Sequence, residues 1–202
     1  MGKGLLFVVS GPSGTGKGTI CKELVIKTNV ALSISMTTRL PRSDEIDGKN
    51  YYFVSNEEFE RVIEEDGFLE YALVYGNYYG TPKTPVFDML DKGKDVVLEI
   101  DIQGALNTKD VWPKGVFIFI LPPSMTELRK RITGRGSESQ SDIDIRLGEA
   151  LKEVSYINKY DYCVVNDQVE LAVEKIMEIM HAEHFRVSED IYTLIENYKE
   201  EL

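Results

Sequence analysis

Residues 8–19 read VVSGPSGTGKGT. An apolar run, LLFVVS at 5–10, leads into a turn in which Gly11, Gly16 and Lys17 have the spacing of a phosphate-cradling loop, and a helical pattern over 17–28 follows. The order strand, glycine-rich turn, helix separates such a loop from a chance run of glycines. In that setting the loop's backbone N–H groups and the helix N-terminus converge on bound phosphate, and Lys17 adds a point charge. The candidate phosphate-binding residues are therefore Gly11, Pro12, Ser13, Gly14, Thr15, Gly16, Lys17, Gly18 and Thr19. One position departs from the pattern: a loop of this kind carries Ser or Thr after the lysine, where the hydroxyl touches Mg²⁺, and this chain has Gly18. Mg²⁺ dehydrates reluctantly and is often held through waters and substrate phosphates. The departure thus predicts a nucleotide-phosphate site with a looser metal grip, Thr19 reaching the ion through water.

Three further apolar runs, DVVLEI at 95–100, VFIFIL at 116–121 and YCVVN at 162–166, are near-continuous rather than alternating, the pattern of parallel strands covered on both faces. LSIS at 32–35 predicts a fifth strand. Helical patterns at 17–28, 103–111, 124–134, 143–159 and from about 168 separate the runs, which predicts a doubly wound α/β core. From Arg39 to Gly80 the alternation stops. That stretch is polar and rich in Tyr and Gly, with short strands YYFV and FLEYALVY around a helix at 56–65 whose start, SNEE, fits a capping box. It reads as a small insert over the core, and the polar TGRGSESQSD at 133–142 reads as a mobile flap between two helices.

With 202 residues, 43% of them hydrophobic, the chain holds enough apolar surface for one domain's core. A net charge of −11 argues against broad, sequence-independent binding to nucleic-acid polymers or anionic membranes, so any phosphate site is expected to be local. Cys21 and Cys163 form no CxxC pair, and the N-terminus has no signal-peptide pattern, which predicts a reduced cytoplasm. No apolar run reaches membrane-spanning length. The only histidines, His181 and His184, fall on the last helical pattern and read as surface or packing residues.

Phosphate loops serve GTPases, ATPases and kinases alike. DIQG at 101–104 and NKYD at 158–161 match GTPase motifs, but the guanine-reading NKxD follows a strand, whereas NKYD here ends a helical run and precedes one. Asn158 and Asp161 accordingly read as helix-end and strand-start residues. A fuller match runs through SMTTRLPRSDEIDGKNYYFV (35–54), FLEYALVYGNYYGT (68–81), VVLEIDIQG (96–104), RKRITGRG (129–136) and VVND (164–167). In order and spacing these segments resemble the guanylate kinases over about residues 4–185, and GKGT also resembles the adenylate kinases, so Gly18 is compatible with monophosphate kinase chemistry.

The resemblance implies transfer of the γ-phosphate of ATP to GMP, giving GDP, with Mg²⁺ bound mainly through the ATP phosphates. It implies a P-loop parallel sheet core covered by helices at about 1–35, 82–132 and 147–202, a GMP-binding insert at about 36–81 and a mobile lid at about 133–146. Arg39, Arg42, Tyr51 and Tyr79 are assigned to the GMP phosphate, a dianion suited to guanidinium forks and phenol hydroxyls. Glu70 is assigned to guanine's N1–H and N2–H₂ donors and Ser35 to its O6, with support from Thr81 and Asp101. Adenine offers no such donor to the carboxylate, so discrimination of roughly 10⁴-fold is expected. Lys17, Arg131, Arg135 and Arg146 are assigned to the transferred phosphoryl and the ATP phosphates, and Asn166 and Asp167 to the adenine side. A GMP phosphate oxygen is already anionic, so no general base is needed. Guanylate-kinase-like peptide-binding modules, which typically lack the phosphate loop, are the alternative that Gly11, Gly16 and Lys17 disfavour.

Overall fold

In chain order the elements are β1 (Leu6–Ser10), α1 (Lys17–Lys27), β2 (Ala31–Leu32), β3 (Met36–Thr37), β4 (Tyr52–Phe53), α2 (Asn56–Glu64), β5 (Phe68–Val74), β6 (Asn77–Pro82) and α3 (Lys83–Asp91). There follow β7 (Val96–Glu99), α4 (Ile102–Val111), β8 (Val116–Leu121), α5 (Met125–Thr133), α6 (Gln140–Val154), a 3₁₀ turn (Ser155–Lys159), β9 (Tyr162–Val165), α7 (Val169–Glu183) and α8 (Glu189–Glu200). The structure is a computed structural model that describes residues 3–74, 76–133, 140–187 and 189–201.

β2, β7, β1, β8 and β9 pair in that order in one parallel sheet. Side chains alternate across it. Phe7 and Val9 of β1 pack with Ile20 and Leu24 of α1 and with Val173 and Ile176 of α7. Leu6 and Val8 face the other way, toward Val86 and Leu90 of α3 and Ala105 of α4. Helices on both faces are why β1 and β8 carry unbroken apolar runs. A third cluster, Leu128, Ile132, Ile143 and Ala150, joins α5 to α6.

A second sheet takes the order β4, β3, β6, β5 and is built from residues 36–82. Its cover is α2, capped by the Ser55 hydroxyl, which accepts the Glu58 N–H at 3.1 Å as the SNEE pattern requires. Phe59, the one buried residue of α2, stacks on Phe68 at 4.4 Å and on Tyr78 at 5.1 Å between ring centroids. The β5–β6 pairing shifts register between Phe68 and Glu70. This bulge leaves Phe68, Leu69 and Glu70 consecutively buried, with Leu69 set in the core of the first sheet.

Four sequence expectations are corrected. The strand expected at 32–35 is Ala31–Leu32, because after Ser33 donates to Val97 the chain leaves the sheet and Met36 joins the second one. No helix was expected at 83–91. α3 forms there because Pro85 lies in its first turn, where proline is tolerated, and Val86 and Leu90, four apart, bury one face. The helix expected at 143–159 tightens into the 3₁₀ turn from Ser155. The long final helix is two: α7 stops with Phe185 N–H bonded to Ala182 and Arg186 N–H to Glu183, and α8 follows. His181 and His184 therefore lie on α7 and its cap, not on the last helix.

Candidate active site

β1 delivers the chain to the loop 11–16 at the edge where the parallel strands end, and α1 leaves from it. Gly16, the N-cap of α1, has φ +90, and a β-carbon there would lie 2.5 Å from Asn166 Nδ2. Both conformation and space exclude other residues. Thr15 Oγ1 donates to the Pro12 carbonyl at 2.9 Å, and Lys17 Nζ folds over the loop to the carbonyls of Gly11 and Pro12 at 2.6 and 3.0 Å. Burial pulls the Lys17 pKa down, while Glu99, Glu153 and Asp101 act to hold it up.

Two adjoining hollows of about 270 and 340 Å³ meet at Ser13, Lys17 and Glu99. One is walled by Gly11, Ile100, Asp101 and Glu153, the other by Gly14, Gly16, Gly18, Thr19 and Lys22. Position 18 gains a physical explanation here. Its φ is not in the left-handed region, but a β-carbon on Gly18 would stand 3.1 Å from Glu99 Oε1. A carboxylate from the end of β7 borders the space that a hydroxyl side chain would enter. Burial raises the Glu99 pKa, against the opposing pull of Lys17 and Lys22.

From Asp101 the wall continues to Glu70. Asp101 caps α4 by accepting Gly104 N–H at 2.7 Å, and a β-carbon on Gly104 would meet Glu70 Oε2 at 3.0 Å and Asp101 Oδ1 at 3.2 Å. Gly104 was missed as a site residue, although the DIQG motif that holds it was noticed. Glu70 is 9% exposed and receives the Thr81 hydroxyl at 2.7 Å. Burial, reinforced by the charge of Asp101, pushes its pKa up to about 7 against the Thr81 hydrogen bond. Ser35 lies one residue beyond the β3–β6 ladder, in line with Thr81, which pairs with Glu70.

Arg39 packs over the Tyr51 ring at 5.5 Å, and Tyr51 meets Tyr79 edge-on at 5.9 Å. These three are brought together. Arg42 is exposed farther along the same loop. Sequence reasoning missed Glu45, which binds Arg39 Nη2 at 2.8 Å and the Arg42 N–H at 2.8 Å and so fixes the loop.

Arg131 donates to the carbonyl of Asn166 at 3.0 Å, points a second N–H toward that of Asp167 at 3.5 Å, and pairs with Glu127. Arg146 of α6 reaches the Ser13 hydroxyl at 2.8 Å. Arg135 and most of the expected flap lie outside the described residues; α6 already begins at Gln140. Arg129 pairs with Asp144 at the surface. Asp161 precedes β9, accepting Phe117 N–H and Lys109, and Asn158 sits in the 3₁₀ turn, so NKYD is structural.

A parallel sheet whose central strand feeds a glycine-rich loop, a lysine and a helix defines a P-loop phosphotransferase core. The guanylate kinase family model matches residues 3–183. A guanylate kinase of Clostridium tetani is 62% identical over 187 residues, 93% of this chain and 90% of its own. One from Clostridium perfringens strain 13 is 56% identical over 99% of this chain and 93% of its own, so the match extends through α8. The crystal structure of guanylate kinase from Anaplasma phagocytophilum superposes with a TM-score of 0.73 at 38% identity, covering 90% of this chain and 87% of that one. The chain belongs to the guanylate kinase family.

Proposed function

We propose that the chain divides the family's reaction between the two ends of this wall: ATP at the phosphate loop, GMP beside Glu70. It is a phosphotransferase that converts ATP and GMP to ADP and GDP. The observation that carries the GMP reading is Glu70, a buried carboxylate held by Thr81 and joined through Asp101 to the hollow that contains Lys17. Ionised, Glu70 accepts guanine's N1–H and N2–H₂, while Ser35 donates to O6. Arg39, Arg42, Tyr51 and Tyr79 take the GMP phosphate, displacing Glu45 from Arg39.

A GMP phosphate oxygen attacks the γ-phosphorus as the bond to the β–γ bridging oxygen breaks. The attacking oxygen is already anionic, so alignment and charge stabilisation carry the rate. Residues 11–19 hold the ATP phosphates and Lys17 leaves its loop carbonyls for the transferred phosphoryl. Arg131, Arg135 and Arg146 complete the cationic shell. Asn166 and Asp167 lie on the adenine side, and closure of the segment at about 133–146 excludes water.

Among the described residues no three His, Cys, Asp or Glu side chains form a metal cage. The donor set near the loop, Glu99, Asp101 and the Thr19 hydroxyl, is oxygen-only and suits Mg²⁺ carried in by ATP and its waters. When bound, the ion neutralises charge on the triphosphate. Among the described residues no helix is long and apolar enough to cross a membrane. The reading is tested by following ADP release from ATP with GMP, AMP, UMP or dTMP as acceptor. Rapid turnover is expected with GMP alone; comparable turnover with AMP overturns it.

A further inference from the structure

Asn166 occupies a place that its position in VVND does not suggest. It follows β9, is 2% exposed, and reaches three elements at once. Its backbone N–H donates to Leu121 at the end of β8 at 2.8 Å. Its backbone carbonyl receives Arg131 Nη1 of α5 at 3.0 Å. Its side-chain Nδ2 donates to the Thr15 carbonyl inside the phosphate loop at 2.8 Å, and the same nitrogen closes the space under Gly16.

The orientation of the amide is not free. Exchanging its ends would set a carbonyl oxygen against the Thr15 carbonyl, so the nitrogen must face the loop. The consequence is an orphan: among the described residues Asn166 Oδ1 is buried without a partner. A side chain with half its hydrogen-bonding capacity unmet is a poor choice for core stability alone. Its presence calls for a compensating role, and the loop contact supplies one. Thr15, Gly16 and Lys17 are consecutive, so fixing the Thr15 carbonyl fixes the left-handed turn at Gly16 from which Lys17 departs.

We propose that Asn166 is a positioning residue for phosphoryl transfer: its side chain locks the turn that presents Lys17, while its backbone carbonyl seats Arg131. Two of the cations assigned to the ATP phosphates are thereby set from one residue, which acts through the loop and not on the acceptor. The inference rests on the reading that the loop holds the ATP phosphates.

The test is separate titration of MgATP, of magnesium tripolyphosphate and of GMP, each without the others, into the wild type, Asn166→Ala and Asn166→Asp. The alanine variant removes the donor and should weaken MgATP and magnesium tripolyphosphate, which carries no adenine, by the same factor of about ten. Weakening of MgATP alone would place the effect on adenine and overturn the proposal. The isosteric aspartate faces the Thr15 carbonyl with an oxygen and should weaken MgATP further. GMP affinity should stay within about twofold in both, and a protein that binds GMP normally is folded. If Asn166→Ala yields no folded protein, Asn166→Ser, which keeps a shorter donor, is read for the same ratio. Equal weakening of both nucleotides, or MgATP binding unchanged in either variant, overturns the proposal. Failure of the wild type to bind MgATP would instead overturn the underlying site reading.

Discussion

At the scale of single residues the site is governed by carboxylates placed where charge is costly. Glu70 titrates near pH 7 because burial and Asp101 oppose its charge more than Thr81 supports it. A folded pKa raised above the usual carboxylate range means that the protonated form dominates below pH 7. A protonated Glu70 presents an O–H where guanine presents donors. Affinity for guanosine, which carries no titrating phosphate, should therefore rise as pH increases toward 7 and level off above it, with up to about tenfold lost per unit below. Calorimetric titration between pH 5.5 and 8.5 checks this, and Glu70→Gln should bind weakly with no such slope. Gly18 makes a second residue-scale case. Its β-carbon space is bounded by Glu99 Oε1, the movable end of a side chain, so Gly18→Ser needs only a shift of a few tenths of an ångström. The serine variant should remain active with an unchanged or lower Mg²⁺ requirement, measured as rate against Mg²⁺ at saturating ATP and GMP. Gly18→Val, bulkier and branched, should displace Glu99 and lose activity.

At the scale of elements the two sheets rest on different supports. The parallel sheet is covered on both faces, whereas the second sheet depends on α2 and on Phe59 between Phe68 and Tyr78. Phe59→Ala should cost about 3–5 kcal/mol. It should raise the KM for GMP well above its effect on ATP, because Glu70, Tyr79 and Thr81 lie on β5 and β6; denaturant melts and steady-state kinetics measure both. The same contrast explains what could be read without coordinates. β1 and β8, buried along almost their whole length, carry the near-continuous apolar runs of covered parallel strands, and β7 and the edge strand β9 were legible from shorter apolar runs of the same kind. β2 escaped accurate reading because a two-residue strand leaves no periodicity, and α3 because Pro85 masked a short helix with only two buried positions. The phosphate loop was legible since its glycines and lysine stand at fixed spacing in one short stretch between a strand and a helix. Gly104 and the loop contact of Asn166 were not, because each meets a residue distant in sequence and brought close only by the fold, and Glu45 was not, because its bonds to Arg39 and Arg42 depend on how an irregular loop turns back on itself.

At the scale of the whole molecule, on a chain of net charge −11, Lys17, Arg131 and Arg146 gather around the phosphate loop, and Arg39 and Arg42 share one loop of the second sheet. Asp101 stands between the two groups, facing both Lys17 and Glu70. On the proposed reading these ends divide the labour, one acting on the transferred phosphoryl and the other on the acceptor. Lys17→Ala tests it most directly, by measuring kcat with both substrates and the GMP dissociation constant without ATP. A fall in kcat on the order of 10³-fold with GMP affinity unchanged is expected. A GMP affinity that falls in step with kcat would contradict it.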